Sequence, residues 1–387
     1  MDIARIQEAL RRQNLDGWLF FDHHLRDPLA YRVLGFMPEK HVTRRWYYLI
    51  PAHGEPRGLV HRIEAGVLNS VPGEKLPYSS WQEQHTQVAA LLKGAHRVAM
   101  QYSAFCAVPY VAMVDAGTVE LVKRCGVEVV SSAELIQEFE ACLSEAQFAT
   151  HIEAGKRVDR VRAEAFRMIG DRLASGIDEL TVNHWVREEF RKAGLETDSG
   201  PIVGVNAHAG DPHYEPQAST SSPIRKGDLV LLDMWAKLNQ PGSVFYDITW
   251  MAFCGEPTES VRHVFEVVKG ARDAAIDFVQ SAAAAGREMR GFEVDDAARG
   301  HIRSMGFGDK FVHRTGHSIG SEVHGTGANM DNLETHDERR ILPGSLFSIE
   351  PGIYLPEFGV RSEVNMYVTT GKAVVTGAIQ QDLVLIG

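Results

Sequence analysis

The chain has 387 residues, 44% of them hydrophobic and 24% charged, an ordinary globular composition that excludes a disordered or fibrous chain and leaves length for about two domains. Forty Lys and Arg against 51 Asp and Glu give a formal net charge of −11. No basic run is long enough to follow a phosphate backbone, so neither nucleic acid nor an anionic membrane is expected as a partner.

The opening Met1-Asp2-Ile3-Ala4-Arg5-Ile6 carries charge where a signal peptide needs an apolar stretch, and no apolar run approaches a membrane span; a cytoplasmic protein is expected. Up to about residue 135, β-rich runs (Trp18 to Phe21, Trp46 to Ile50, Arg97 to Met100, Val127 to Val130) alternate with helical stretches such as Thr86 to Leu92. This pattern predicts a small α/β domain over 1–135. Cys106, Cys125, Cys142 and Cys254 are widely spaced without a CxxC pair and read as reduced thiols. From Ala133 through Arg172 the chain lacks Pro and spaces Ile152, Val158, Val161, Phe166 and Ile169 as a helix does, with Gly155 as its weak point. Residues 136–144 are read as a helical linker and 145–387 as a second domain.

The second domain carries an internal repeat. A long helix ending near Gly176 and a shorter one from Asp178 to Ala193, ending at Gly194, precede apolar strands; Gly286 and Gly306 punctuate a second copy of the same order. Thr258 to Ala285 in that copy reads as a core helix. The strand Leu229–Leu232 ends in Asp233, and Val244-Phe245-Tyr246 leads to Asp247. In the other half, Leu346–Ile349 leads to Glu350 and Gly359–Ser362 to Glu363, and His213 maps onto His324, all at a near-constant offset of about 111–117 residues. A pseudo-twofold would bring four carboxylates and two histidines to one centre.

Four acids arriving on apolar strands cannot all be buried and ionised without compensation. Divalent cations supply it. Four carboxylates and one imidazole suit two ions about 3.5–4 Å apart. The fifth ligand is assigned to His317 in Gly316-His317-Ser318-Ile319-Gly320, whose flanking glycines would let the backbone approach a crowded centre.

The run from Asp228 to Gly255, the GHSIG string with His324 after it, Ser348-Ile349-Glu350-Pro351-Gly352-Ile353-Tyr354 and Gly359-Val360-Arg361-Ser362-Glu363 together resemble the pita-bread metallopeptidases, the group of prolidase, aminopeptidase P and methionine aminopeptidase. The resemblance implies an α/β two-domain protein. Its N-terminal domain would be creatinase-like and α/β, its C-terminal catalytic domain an α+β pita-bread fold with an internal pseudo-twofold repeat. It further implies that Asp233 holds one metal, that Asp247 and Glu363 bridge two, and that His317 and Glu350 complete the other. Mn²⁺ is the first choice, with Zn²⁺ or Co²⁺ as alternatives. Glu350 would stand near the proton being moved, while His213 and His324 hydrogen-bond the substrate. The implied reaction is hydrolysis of the Xaa-Pro bond of a dipeptide or short peptide by a homodimer, as an Xaa-Pro dipeptidase or, alternatively, an Xaa-Pro aminopeptidase. A creatinase-like C–N hydrolase and a non-catalytic peptide-binding module share the fold.

Three departures stand out. The spacing between Asp233 and Asp247 is about three residues longer than the family pattern, with Asn239-Gln240-Pro241-Gly242 as an enlarged turn. Trp250 stands where the family often has Arg. The segment after His324 reads Gly325-Thr326-Gly327-Ala328-Asn329 and lacks the Arg with which similar prolidases read the proline carboxylate; Arg339 or Arg340 would have to replace it. His208 competes with His213, Arg361 is expected beside the carboxylates, and His336 reads as a surface residue. GHSIG also fits the GxSxG elbow of serine hydrolases, which requires a strand before the serine and a helix after it.

Overall fold

The computed structural model describes residues 1–38 and 41–387, and they divide into two compact units, Met1–Glu140 and Ala141–Gly387. In the first, six strands form one mixed sheet in the spatial order Glu74–Tyr78, Arg57–His61, Trp46–Pro51, Gly17–Asp22, Arg97–Met100, Glu128–Ser131. Gly17–Asp22 and Trp46–Pro51 are buried along almost their whole length, as strands covered on both faces must be. The strands at 57–61 and 74–78 escape sequence reading because Gly58 and Pro77 interrupt their β-propensity.

The expected helical stretch from Ala133 to Arg172 is broken. A short helix (Ala133–Ile136) and a π-helical turn (Gln137–Ala141) precede a new helix over Glu145–Arg172. Ser144 starts that helix through a capping box with Gln147, a nucleation signal stronger than apolar periodicity alone. Gly155 inside it is a packing requirement: a Cβ there would lie 2.7 Å from the ring of Tyr246.

The second unit repeats helix, helix and strand hairpin. Glu145–Arg172 and Glu179–Lys192 precede the antiparallel strands Leu229–Leu238 and Tyr246–Cys254. Glu259–Ala284 and Gly291–Ser304 precede Leu346–Ile349, which pairs with Val364–Thr369, and Gly352–Tyr354, which pairs with Gly359–Arg361. Asp178 caps its helix by accepting from the Thr181 N–H at 2.8 Å. Gly176, Gly194, Gly286 and Gly306 all have positive φ, the left-handed conformation by which glycine ends a helix. One apolar cluster packs the helix Glu259–Ala284 against Leu231, Met251, Phe347 and Ile349, and another packs Glu145–Arg172 against Val230, Leu232 and Tyr246. Among the described residues no helix is long and apolar enough to cross a membrane.

Candidate metal centre

The two hairpins are stitched together where their acidic residues lie. The Glu363 N–H donates to the Thr249 carbonyl at 3.2 Å, and the Thr249 hydroxyl donates to Glu363 Oε2 at 2.9 Å. Asn365 Nδ2 donates to the Asp247 carbonyl, while Asn365 Oδ1 accepts from the Asp247 N–H. Apolar neighbours on both strands exclude water, so the backbone register of one hairpin is read by side chains of the other.

At this seam the ligand atoms of Asp247, His317 and Glu363 lie within 4.8 Å of one another, all buried. His317 Nε2 is 3.4 Å from Asp247 Oδ2 and 3.3 Å from Glu350 Oε1. Its Nδ1 lies 3.1 Å from the Ser318 carbonyl, which assigns the proton to Nδ1 and turns the Nε2 lone pair toward two carboxylates. Burial, opposed by Glu350, holds the imidazole below its ordinary pKa and therefore neutral. Three acceptors facing one another repel unless a cation lies among them.

Asp247 Oδ1 and Glu363 Oε1 are buried without a hydrogen-bond partner. Burial pushes Asp233 up to about 7, opposed by Arg361 and reinforced by Asp247 and Glu350. Asp247 and Glu363 are raised well above the carboxylate range by burial and by their acidic neighbours. Glu350 behaves differently: burial pushes it up, but the surrounding positive charge, that of Arg361 and Arg314 included, prevails and lowers it. Protons or cations must fill such a site, and four oxygen donors with one neutral imidazole suit divalent ions. The residues present fit a metal centre.

Arg361 supplies a buried positive charge. Its NH2 pairs with Asp233, its Nε donates to the Thr249 hydroxyl at 3.0 Å, and its NH1 donates to the Tyr354 hydroxyl at 3.3 Å. Tyr354 lies 2.6 Å from His313 Nε2, and His313 Nδ1 lies 2.6 Å from the Arg314 carbonyl. Reading these as one chain, the Tyr354 hydroxyl donates to a neutral His313, whose pKa burial lowers to about 4 against the pull of Glu350. The Ser348 hydroxyl donates to Glu350 Oε1 at 3.1 Å and accepts from the His317 N–H at 2.9 Å.

His324 is exposed, its ring edge-on to His317 with centroids 4.4 Å apart. His213 is exposed on a loop, its N–H donating to Asp211 Oδ1 at 3.1 Å, and among the described residues no hydrogen bond or ring contact links it to the four acids and the imidazole. His208 is tied instead to Glu179, 2.9 Å away. Arg339 is buried, bidentate on Asp337 and donating to the Thr326 carbonyl at 2.7 Å, so its donors are committed inside the loop. Arg340 lies 3.8 Å from Glu288. His336 is exposed.

Gly316 is required, since a Cβ there would meet the Ser348 carbonyl oxygen at 2.0 Å, whereas Gly320 has nothing within 4 Å; only the first of the two flanking glycines serves close approach. The elbow reading of GHSIG lacks its geometry. Ser318 forms an isolated bridge with Phe347, accepts from the Gly327 N–H, and is followed by turns with no helix.

Four contributors were missed in the sequence. His313, Tyr354 and Asn365 meet the centre through contacts that span many residues. Glu179 looks like an ordinary first-turn acid behind the Asp178 cap. It is instead fully buried, accepting from the Val205 and Ser222 N–H groups and the Tyr214 hydroxyl, each at 2.7 Å.

The profile of metallopeptidase family M24 matches residues 150–370. The chain is 30% identical over 261 residues to the uncharacterized peptidase YqhT of Bacillus subtilis, covering 67% of this chain and 68% of that one. It is 34% identical over 202 residues to an Xaa-Pro dipeptidase of Lactobacillus delbrueckii subsp. lactis, covering 51% and 50%. The crystal structure of dipeptidase PepE from Mycobacterium ulcerans superposes with a TM-score of 0.70 at 25% identity, covering 99% of this chain and 96% of that one.

Proposed function

The chain belongs to metallopeptidase family M24, and from that premise we propose that it is a dinuclear exopeptidase that hydrolyses the bond before proline, acting as an Xaa-Pro dipeptidase. The observation that carries this reading is the convergence of Asp247, His317 and Glu363 within 4.8 Å, with two of their buried oxygens unpaired.

Asp233, Asp247, His317, Glu350 and Glu363 hold two divalent ions, with Mn²⁺ preferred because oxygen donors predominate and Zn²⁺ or Co²⁺ as alternatives. When bound, the ions lower the pKa of water and polarise the scissile carbonyl. Glu350, the most accessible of the four acids at 16% side-chain exposure, is held ionised and takes the proton released in the attack. The Ser348 hydroxyl fixes one of its oxygens. Arg361 favours the ionised form of Asp233 and orients it, and the Tyr354–His313 pair fixes Arg361 in turn. His324, and His213 from its loop, donate hydrogen bonds to the substrate carbonyl as charge develops. The protein acts in the cytoplasm as a homodimer.

An Xaa-Pro aminopeptidase is the second reading, favoured by the commitment of Arg339 to Asp337 and Thr326. A dipeptidase must read a free carboxylate on proline, and that guanidinium is already occupied.

One assay tests both readings. Protein stripped with chelator and restored with Mn²⁺ is given Ala-Pro or Ala-Pro-Ala, with Glu350→Ala as control. Metal-dependent cleavage of Ala-Pro alone supports the dipeptidase, and preference for the tripeptide the aminopeptidase. Turnover of neither, with metal bound, refutes the substrate class.

A further inference from the structure

The N-terminal unit holds a second concavity, of about 580 Å³, whose walls carry Arg26, Arg44 and Arg45 with His23 and His61. The one carboxylate among its described lining residues is Asp115. Both Asp115 oxygens already accept from Thr118, one from its N–H and one from its hydroxyl, each at 2.9 Å. Three guanidinium groups therefore share a wall with a single carboxylate, one that also caps a helix.

Both lips are built. On one, the buried Asp22 accepts from the N–H groups of Leu25 and Asp27 at 2.9 Å and from the Tyr31 hydroxyl at 2.6 Å. These bonds hold His24 and Leu25 in consecutive left-handed conformations, φ 66° and 57°, which L-residues rarely adopt. The bend sets Arg26 against His23, with Arg26 NH2 3.1 Å from His23 Nδ1. On the other lip, Glu64 accepts from the N–H groups of Thr43 and Arg44 at 3.0 Å and presents Arg44 and Arg45. Arg26 and Arg45 both act on the His23 ring, adding to burial in lowering its pKa, as converging like charges do.

Arg45 is half-buried, and among the described residues its guanidinium has no carboxylate partner; its side chain neighbours the Tyr78 hydroxyl, which donates to the Arg45 carbonyl. Gln84, wholly buried against the same cavity, donates to the Tyr47 hydroxyl at 3.1 Å while its Oε1 has no partner. A half-buried cation without an acid to neutralise it and a buried unpaired acceptor ask for complementary groups: an oxyanion and, beside it, an O–H or N–H donor. Trp81, 62% exposed at the rim, offers a flat apolar wall.

We propose that this pocket binds a small oxyanion, a carboxylate or phosphate carrying a neighbouring hydrogen-bond donor, with Arg26, Arg44 and Arg45 on the anion and Gln84 on the donor. All of its described lining residues belong to the N-terminal unit.

The test titrates the intact protein with inorganic phosphate, L-malate and succinate in low-salt buffer, by calorimetry and by tryptophan fluorescence. Saturable one-to-one binding of phosphate or malate is expected, and the tighter of the two identifies the anion. Succinate, which has no donor for Gln84, binds more weakly than malate. Arg45→Gln and the exposed Arg44→Gln each weaken binding by about tenfold or more. Lys156→Gln, removing a helix charge with 70% side-chain exposure, does not, and the fluorescence response disappears in Trp81→Phe. Absence of saturable binding by both phosphate and malate, unchanged affinity in both arginine variants, or a response that survives in Trp81→Phe overturns the proposal.

Discussion

Asn365 grips Asp247 by its backbone from both sides, its amide donating to the Asp247 carbonyl and accepting from the Asp247 N–H at 3.1 Å. An aspartate proposed to bridge two ions is thus oriented by a residue of the opposite hairpin. Asn365→Leu leaves two buried backbone groups unpaired and is expected to cost about 2–4 kcal/mol. It should also weaken metal binding by about tenfold or more. Urea denaturation and metal titration measure the two effects; a variant as stable as wild type would show that the grip is dispensable.

Glu179→Gln tests the loop that carries His213. The carboxylate accepts from two N–H groups and a hydroxyl at 2.7 Å, and an amide can accept through only one of its two head atoms. A loss of about 2–4 kcal/mol is expected. Faster proteolysis within residues 206–222 and a raised KM with a smaller change in kcat should accompany it. Unchanged proteolysis would mean that the loop is held by other contacts.

Acidity should stabilise the metal-free protein. Asp233 is raised to about 7, and Asp247 and Glu363 are also raised well above the carboxylate range, so the folded state holds protons that the unfolded chain releases near pH 4. The contribution is complete below the ordinary carboxylate pKa and is lost as pH rises through the folded values. The Tm of chelator-treated protein, corrected for groups elsewhere with Asp247→Asn, should fall between pH 5 and about 8. Added Mn²⁺ should restore more stability at pH 8 than at pH 5, because cations replace the protons. Stabilisation by metal that is equal at both values would contradict the coupled-acid picture.

Gly155→Ala sets two effects against each other. Helix propensity favours the substitution by about 1 kcal/mol, while the new methyl lands 2.7 Å from Tyr246, an overpacking that costs about 1–3 kcal/mol. Tyr246 is buried and its hydroxyl donates to Asp159 at 3.2 Å, so the ring has little room to retreat. Net destabilisation of about 1 kcal/mol is expected in thermal melts; a stabilised variant would mean that the helix shifts freely on the sheet.

Much of the second unit was legible because its signals are local. Gly176, Gly194, Gly286 and Gly306 end helices by left-handed backbone, and the strand-end acids repeat in order on apolar runs, so helix boundaries and the candidate ligand set follow from neighbouring residues. What stayed hidden depends on distant partners. Asn365 has no signal until Asp247 lies beside it, and Gly155 reads as a helix defect until Tyr246 packs on it. The two overlooked strands of the first unit are carried by pairing rather than by their own sequence. Arg339 was misleading for the opposite reason: its partner Asp337 is only two residues away, and an exposed arginine cannot be told from one folded inward when the loop's path is unknown.

The stitching of the two hairpins ties together the histories of the halves they belong to. Thr249 answers to Glu363 and Arg361, and Asp247 to Asn365, so a change on one side is judged by what stands on the other. The two halves are therefore not free to change independently at this seam. Chimaeras that join the first half of one relative to the second half of another should fail at this seam before they fail in either core.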